Sequence, residues 1–168
     1  YFVETVARYA DKVAVIDGDR SVTFGDLDKN ARGLAQIIID SCSCKNKPIA
    51  LFLPKGIESV YSDLAITYSG NIYMNLDIKN PAGRLQNILS LIRPAAVITN
   101  DSQIGKIDGA VPDGIRIINI DEHPSDANVP DTHALMARIA DLIDTDPYCI
   151  INTSGSTGTP KGVVLNHK

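Results

Sequence analysis

Cysteine is scarce in this sequence. Only Cys42, Cys44 and Cys149 occur, an odd number with no Cys-x-x-Cys spacing. That excludes a disulfide framework and reads as reduced thiols of a cytoplasmic protein. Histidine is as sparse: His123, His133 and His167 lie far apart without the spacing of a metal site. There is no excess of basic charge. The formal net charge of −4 leaves no electrostatic footprint for a nucleic-acid partner. No apolar run approaches the length needed to cross a bilayer, and no internal repeat or low-complexity segment interrupts the chain. No signal peptide is visible, although Tyr1 is not a natural start and leaves a lost leader open.

What is present is the make-up of a globular domain. Hydrophobic residues account for 44% of 168 positions and charged residues for 21%, enough for one domain with a real core. Phe2, Val6 and Tyr9 have the spacing of an amphipathic helix. Val13–Ile16 and Ser21–Phe24 flank Asp17-Gly18-Asp19-Arg20, the pattern of a β-hairpin. Thr23 with Asp26 resembles a capping box, and Leu27, Ala31, Leu34, Ala35 and Ile38 predict a helix to about Asp40. After a polar connector, Pro48–Leu53 reads as a strand buried on both faces. Ile57, Val60, Tyr61, Leu64, Ala65 and Tyr68 predict a helix ended by Gly70, and Ile72–Asn75 a short strand. Asn80 is placed to cap a helix with Pro81 at its first position; its stripe is Leu85, Ile88, Leu89 and Ile92, and Pro94 stops it. A strand at 95–99, a weak helical turn at 102–106 and a strand at 115–120 follow. Asp121–Asp131 reads as an acidic surface loop and Thr132–Leu142 as a short helix. Alternating strands and helices predict an α/β fold with a mostly parallel sheet flanked by helices.

The chain then reaches Asn152-Thr153-Ser154-Gly155-Ser156-Thr157-Gly158-Thr159-Pro160-Lys161-Gly162. These eleven residues hold five hydroxyls, three glycines and one lysine. Hydroxyls donate hydrogen bonds, glycines let backbone approach a ligand, and the lysine adds a mobile positive charge. Such parts suit a cradle for an anion, polyphosphate above all; a plain flexible turn has the same composition. The nucleotide loop of kinases and ATPases does not fit, because Pro160 stands where a glycine is required and Gly162 follows Lys161. Tyr148–Ile151 before the loop and Val163–Leu165 after it read as strands, so a strand–loop–strand hairpin is expected, with its loop at the carboxyl end of the first strand, where ligands sit in such sheets.

Thr153 to Gly162 resembles, without a gap, the phosphate-binding loop of adenylate-forming ligases. That superfamily includes acyl-CoA synthetases, luciferase-like enzymes and the adenylation domains of non-ribosomal peptide synthetases. Ser21–Leu27 is similar to the start of the family's first long helix. Tyr68–Asp77, with Ser69 and Asn75 departing from the pattern, and Pro81-x-x-Arg84-Leu85 are similar to the amino-acid-activating branch, which includes D-alanine–carrier-protein ligases. Val163-Val164-Leu165-x-His167 fits the strand after the loop. Tyr73 and Arg84 are expected to pack or to lie on the surface instead of touching substrate.

The resemblance implies the activation of a carboxylate, an amino acid for preference, by ATP with Mg²⁺. Pyrophosphate leaves and the acyl-adenylate passes its acyl group to a carrier protein's phosphopantetheine or to coenzyme A. The implied nucleotide-binding residues are Thr153, Ser154, Gly155, Ser156, Thr157, Gly158, Lys161 and Gly162, with Lys161 either balancing phosphate charge or steadying the loop. No catalytic or metal-binding residue is assigned. Residues 1–168 are expected to be the N-terminal portion of a larger adenylation domain, truncated at both ends and inactive alone. The alternatives are an acyl-CoA synthetase, a non-catalytic nucleotide-binding relative, and a phosphate-binding regulator of unrelated fold.

Overall fold

The computed structural model describes residues 1–123, 132–153 and 161–168. Helix α1 (Phe2–Tyr9) leads into an antiparallel hairpin, β1 (Val13–Asp17) with β2 (Arg20–Thr23). There follow α2 (Phe24–Cys42), β3 (Pro48–Leu51), α3 (Ile57–Tyr68), β4 (Ile72–Asn75), α4 (Ala82–Ile92), β5 (Ala96–Thr99), α5 (Asp101–Ile107) and β6 (Arg116–Asn119). Helix α6 (Thr132–Ala140) and the strands β7 (Pro147–Thr153) and β8 (Lys161–Asn166) close the described part. The main sheet runs β6-β5-β3-β4-β7-β8. Its first five strands are mutually parallel and β8 is antiparallel to β7, so the expected mostly parallel sheet ending in a hairpin is what forms.

The period of two along each strand builds a core on both faces. Ile49 and Leu51 of β3 join Ala96 and Ile98 of β5 against Ala31, Leu34 and Ile38 of α2, Ile66 of α3 and Leu135 of α6. Ala50, Phe52, Met74 and Val97 point the other way, onto Leu85, Ile88 and Leu89 of α4 and Ile107 of α5. Phe52, Ile38, Met74 and Leu89 are fully buried, and each such side chain stabilises the fold by ~1.5–3 kcal/mol. Between α2 and α3 the buried Asp28 carboxylate accepts from the Tyr68 hydroxyl and, at 2.6 Å, from Arg32 Nε. The first hairpin is fastened to α3 by Arg20, which donates to Glu58 at 2.7 Å and to Asp17.

Several boundaries differ from the sequence reading. Helix α2 runs through Ser41 to Cys42, because Ser43 takes the left-handed conformation (φ 46°) and its N–H still reaches Ile39 O at 2.8 Å. The Thr23 cap is only half a capping box: Thr23 Oγ1 accepts from Asp26 N at 3.1 Å, while the Asp26 carboxylate accepts from the Thr23 hydroxyl and not from its backbone. Helix α4 is capped by Pro81 and not by Asn80; Pro81 is extended (φ −61°, ψ 149°) and its carbonyl takes the first helical bonds from Arg84 and Leu85. Strand β3 stops at Leu51, and α6 at Ala140. Ile120, the end of the expected strand, and Asp121–Glu122, the start of the expected acidic loop, form one turn of 3-10 helix; residues 124–131 lie outside the described residues. Gly70 does end the third helix, at φ +74°, a conformation that favours glycine.

Candidate functional site

Two chain reversals bring polar side chains to the carboxyl edge of the sheet. The first is the loop after β7. Strand β7 is parallel to β4, with Tyr73 opposite Cys149, so Thr153 emerges at the same edge as Asn75. In the hairpin Ile151 pairs with Val163, Asn152 with Gly162 and Thr153 with Lys161. Thr153 Oγ1 donates to Lys161 O at 3.3 Å across the foot of the loop. The Lys161 side chain is exposed, and no ion pair engages it among the described residues. Gly162 sits inside β8: a Cβ there would stand 3.1 Å from Ile150 Cγ2 and 3.3 Å from Ile92 Cδ1. Asn152 Nδ2 is buried without a hydrogen-bond partner. Of the sequence-derived nucleotide residues, Thr153, Lys161 and Gly162 are thus brought together; Ser154, Gly155, Ser156, Thr157 and Gly158 lie outside the described residues.

The second reversal makes a recess. The chain leaves β3 for α3 on one face of the sheet and leaves β4 for α4 on the other, so the connections diverge between these two adjacent strands. Parallel sheets bind ligands at such a switch point. The recess there, of about 540 Å³, is lined by Lys55, Ser59, Asn75, Asp77 and Lys79 over an apolar floor that includes Leu51 and Leu53. Behind it Asn75 Nδ2 donates to Asp63 Oδ2 at 3.1 Å, while Asp63 Oδ1 is buried with no partner. Burial pushes the Asp63 carboxyl up to about 6, against a smaller downward pull from Asn75. Sequence reading missed this recess, and it took Asn152 only as the first residue of the loop stretch. The only available signal was Lys55, Asp77 and Lys79 recurring just after two apolar strands.

Tyr73 and Arg84 are not drawn into either feature as ligand groups. The Tyr73 ring meets Tyr148 edge-on at 4.9 Å, and burial pushes its phenol far above the ordinary range. Arg84 lies half-buried in the first turn of α4, its Nε unpartnered. Chemically, the foot of the β7–β8 loop presents the exposed Lys161 ammonium, which fits a polyanion; the Thr153 hydroxyl is engaged with Lys161 O, and Asn152 Nδ2 is buried. The described residues hold no group of three His, Cys, Asp or Glu side chains placed to bind a metal ion, and no helix among them is long and apolar enough to cross a membrane.

Known proteins share this fold. The family model described as AMP-binding enzyme matches residues 2–168. The N-(5-amino-5-carboxypentanoyl)-L-cysteinyl-D-valine synthase of Penicillium rubens is 35% identical over 160 residues, 95% of this chain and 4% of that protein. Among solved structures, a benzoate CoA ligase from Burkholderia xenovorans superposes with a TM-score of 0.85 at 20% identity, over 99% of this chain and 34% of that one. The NpsA N-terminal subdomain of Klebsiella oxytoca, in complex with 3-hydroxyanthranilyl-AMSN, does so at 0.80 and 23% identity, over 99% of this chain and 40% of that one. The chain therefore spans well under half the length of each of these proteins.

Proposed function

The chain belongs to the AMP-binding enzyme family, and we propose that it is the N-terminal portion of an adenylation domain that activates a carboxylate with ATP. One observation carries this reading: two antiparallel strands bring Thr153 and Lys161, which bracket the hydroxyl- and glycine-rich segment in sequence, together at the carboxyl edge of a parallel sheet. The carboxylate attacks the α-phosphorus of ATP, its oxygen forms the new P–O bond, and pyrophosphate leaves. Little covalent help is needed in such a step; positioning and charge neutralisation dominate.

Each residue has a role suited to that need. The hydroxyls of Ser154, Ser156 and Thr157 donate to phosphate oxygens, and Thr153 joins them by exchanging its bond to Lys161 O for one to phosphate. Gly155 and Gly158 let backbone N–H groups come close. Lys161 balances the charge of the departing pyrophosphate. Gly162 serves by its size, since a larger residue there would push on Ile150 and Ile92. Magnesium supplies further charge neutralisation as the companion of ATP, and the described residues offer it no ligand cluster of their own.

The acyl-adenylate then passes to a thiol. An amino acid as substrate and a carrier-protein phosphopantetheine as acceptor are favoured by the Tyr68–Asp77 and Pro81–Leu85 segments and by the peptide-forming relative; coenzyme A is the other acceptor. The scarce, unpaired cysteines suit a cytoplasmic setting. The chain alone is expected to be inactive. ATP–pyrophosphate exchange by the full-length protein, run against an amino-acid panel and then against aryl and fatty acids, tests the assignment. Exchange with an amino acid supports it. Exchange only with an aryl or fatty acid moves the protein to the CoA-ligase branch, and no exchange with any acid points to a non-catalytic relative.

A further inference from the structure

Cys42 is the last residue of α2 and Cys44 follows two residues later. Between them Ser43 adopts a left-handed conformation, which folds the chain back so that the two side chains lie on the same side. Their sulfurs stand 3.0 Å apart. The bend is held from both directions. Ser43 N donates to Ile39 O at 2.8 Å, and the Cys42 thiol donates to Ile38 O at 3.1 Å. On the far side the Cys44 carbonyl accepts from Arg138 Nη1 of α6 at 2.9 Å and from Asn71 Nδ2 at 3.2 Å. Lys45 next to it is paired with Asp141 at 2.7 Å. The backbone of both cysteines is thereby fixed with the sulfurs in contact. Both are partly buried against the core, whereas Cys149 is buried at 4% exposure.

We propose that Cys42 and Cys44 are a redox-modification site that closes to an intramolecular disulfide under peroxide and reopens with a thiol reductant. The Cys42 thiolate attacks one oxygen of hydrogen peroxide; the O–O bond breaks, hydroxide leaves and takes up a proton, and Cys42 becomes a sulfenic acid. The Cys44 sulfur then gives up its proton and attacks the Cys42 sulfur. The S–O bond breaks and water leaves. Two thiols are oxidised by two electrons, one peroxide is reduced, and two waters form. Cys44 is cast as the second thiol because burial, and then the adjacent Cys42, push it up to about 12, so it keeps its proton while its neighbour reacts. The ring through Ser43 is too short to add much chain-entropy stabilisation, which makes the bond reversible instead of a permanent staple. The pair lies before β3, at the amino edge of the sheet and away from the nucleotide loop.

The full-length protein is treated with hydrogen peroxide, alkylated, and mapped by peptide mass spectrometry. Alkylation of Cys42 and Cys44 should fall together by about tenfold or more, with the peptide lighter by two hydrogens. Dithiothreitol should restore both sites, and Cys149 should not join either one. In Cys42→Ser, Cys44 should remain alkylatable after the same treatment. The proposal is overturned if both cysteines stay alkylatable while a control dithiol in the same tube is consumed. A sulfinic acid on one cysteine without a disulfide, or a bridge between two copies of the protein, overturns it equally.

Discussion

Asp63 keeps a carboxyl group out of water with one amide N–H for company. Burial raises it from an ordinary 3.8 to about 6. Below pH 4 folded and unfolded chains both hold the proton, and Asp63 costs nothing in ionisation. Between pH 4 and 6 the unfolded chain releases it first, so stability falls as pH rises, by up to about 3 kcal/mol once pH 7 is reached. Asp63→Asn should therefore stabilise the protein at pH 7 and leave it nearly unchanged at pH 4. Urea unfolding at the two pH values checks this, and equal gains at both would count against the burial argument. Lys161 and Gly162 separate in the opposite sense. Lys161→Ala should leave the melting temperature unchanged and slow exchange by about tenfold or more. Gly162→Val should destabilise by ~1–3 kcal/mol, because the added atoms meet Ile150 and Ile92; a thermal melt with no loss would contradict that packing. The loop residues were singled out by their ordered match to a known phosphate-binding loop and not by their composition, which a plain turn shares; of them only Thr153, Lys161 and Gly162 fall among the described residues. The Asp63–Asn75 pair was not legible, because a helix and a strand supply one partner each and nothing local marks their meeting.

Elements were legible where the apolar spacing was long and regular. The stripe from Leu27 to Ile38 located α2, and Ile57 to Tyr68 located α3. Ends were less so, because a cap depends on local backbone geometry that spacing does not encode. Helix α4 begins one residue later than its Asn-Pro pair suggested, since Pro81 is extended and offers its carbonyl as the first acceptor. Helix α2 gains its last turn from a residue with positive φ, which no propensity would nominate. The Thr23 cap was legible, and Thr23→Ala should cost ~1 kcal/mol through loss of the bond from Asp26 N. Arg138 was not singled out, yet it ties α6 to two other segments by donating to Cys44 O and Ser69 O at 2.9 and 3.0 Å. Arg138→Ala should cost ~2 kcal/mol in urea unfolding, the loss of a charged donor from two carbonyls.

At the scale of the whole molecule, strand–helix alternation announced a parallel sheet but not its order. Strand β5 crosses back over β3 to pair on its far side, and β7 returns to pair with β4. Those pairings join residues far apart in sequence, and the alternation of apolar runs is the same whichever way the chain crosses. Placing β4 between β3 and β7 puts the β3–β4 recess and the Thr153–Lys161 pair on one edge, which neither motif shows alone. The most direct measurement is carboxylate-dependent ATP–pyrophosphate exchange by the full-length protein, compared with a variant in which Ser156 and Thr157 are both alanine. The expected result is clear exchange that drops by about a hundredfold in the variant at an unchanged melting temperature. Exchange of equal rate in both proteins would show that the loop does not hold the phosphates of ATP.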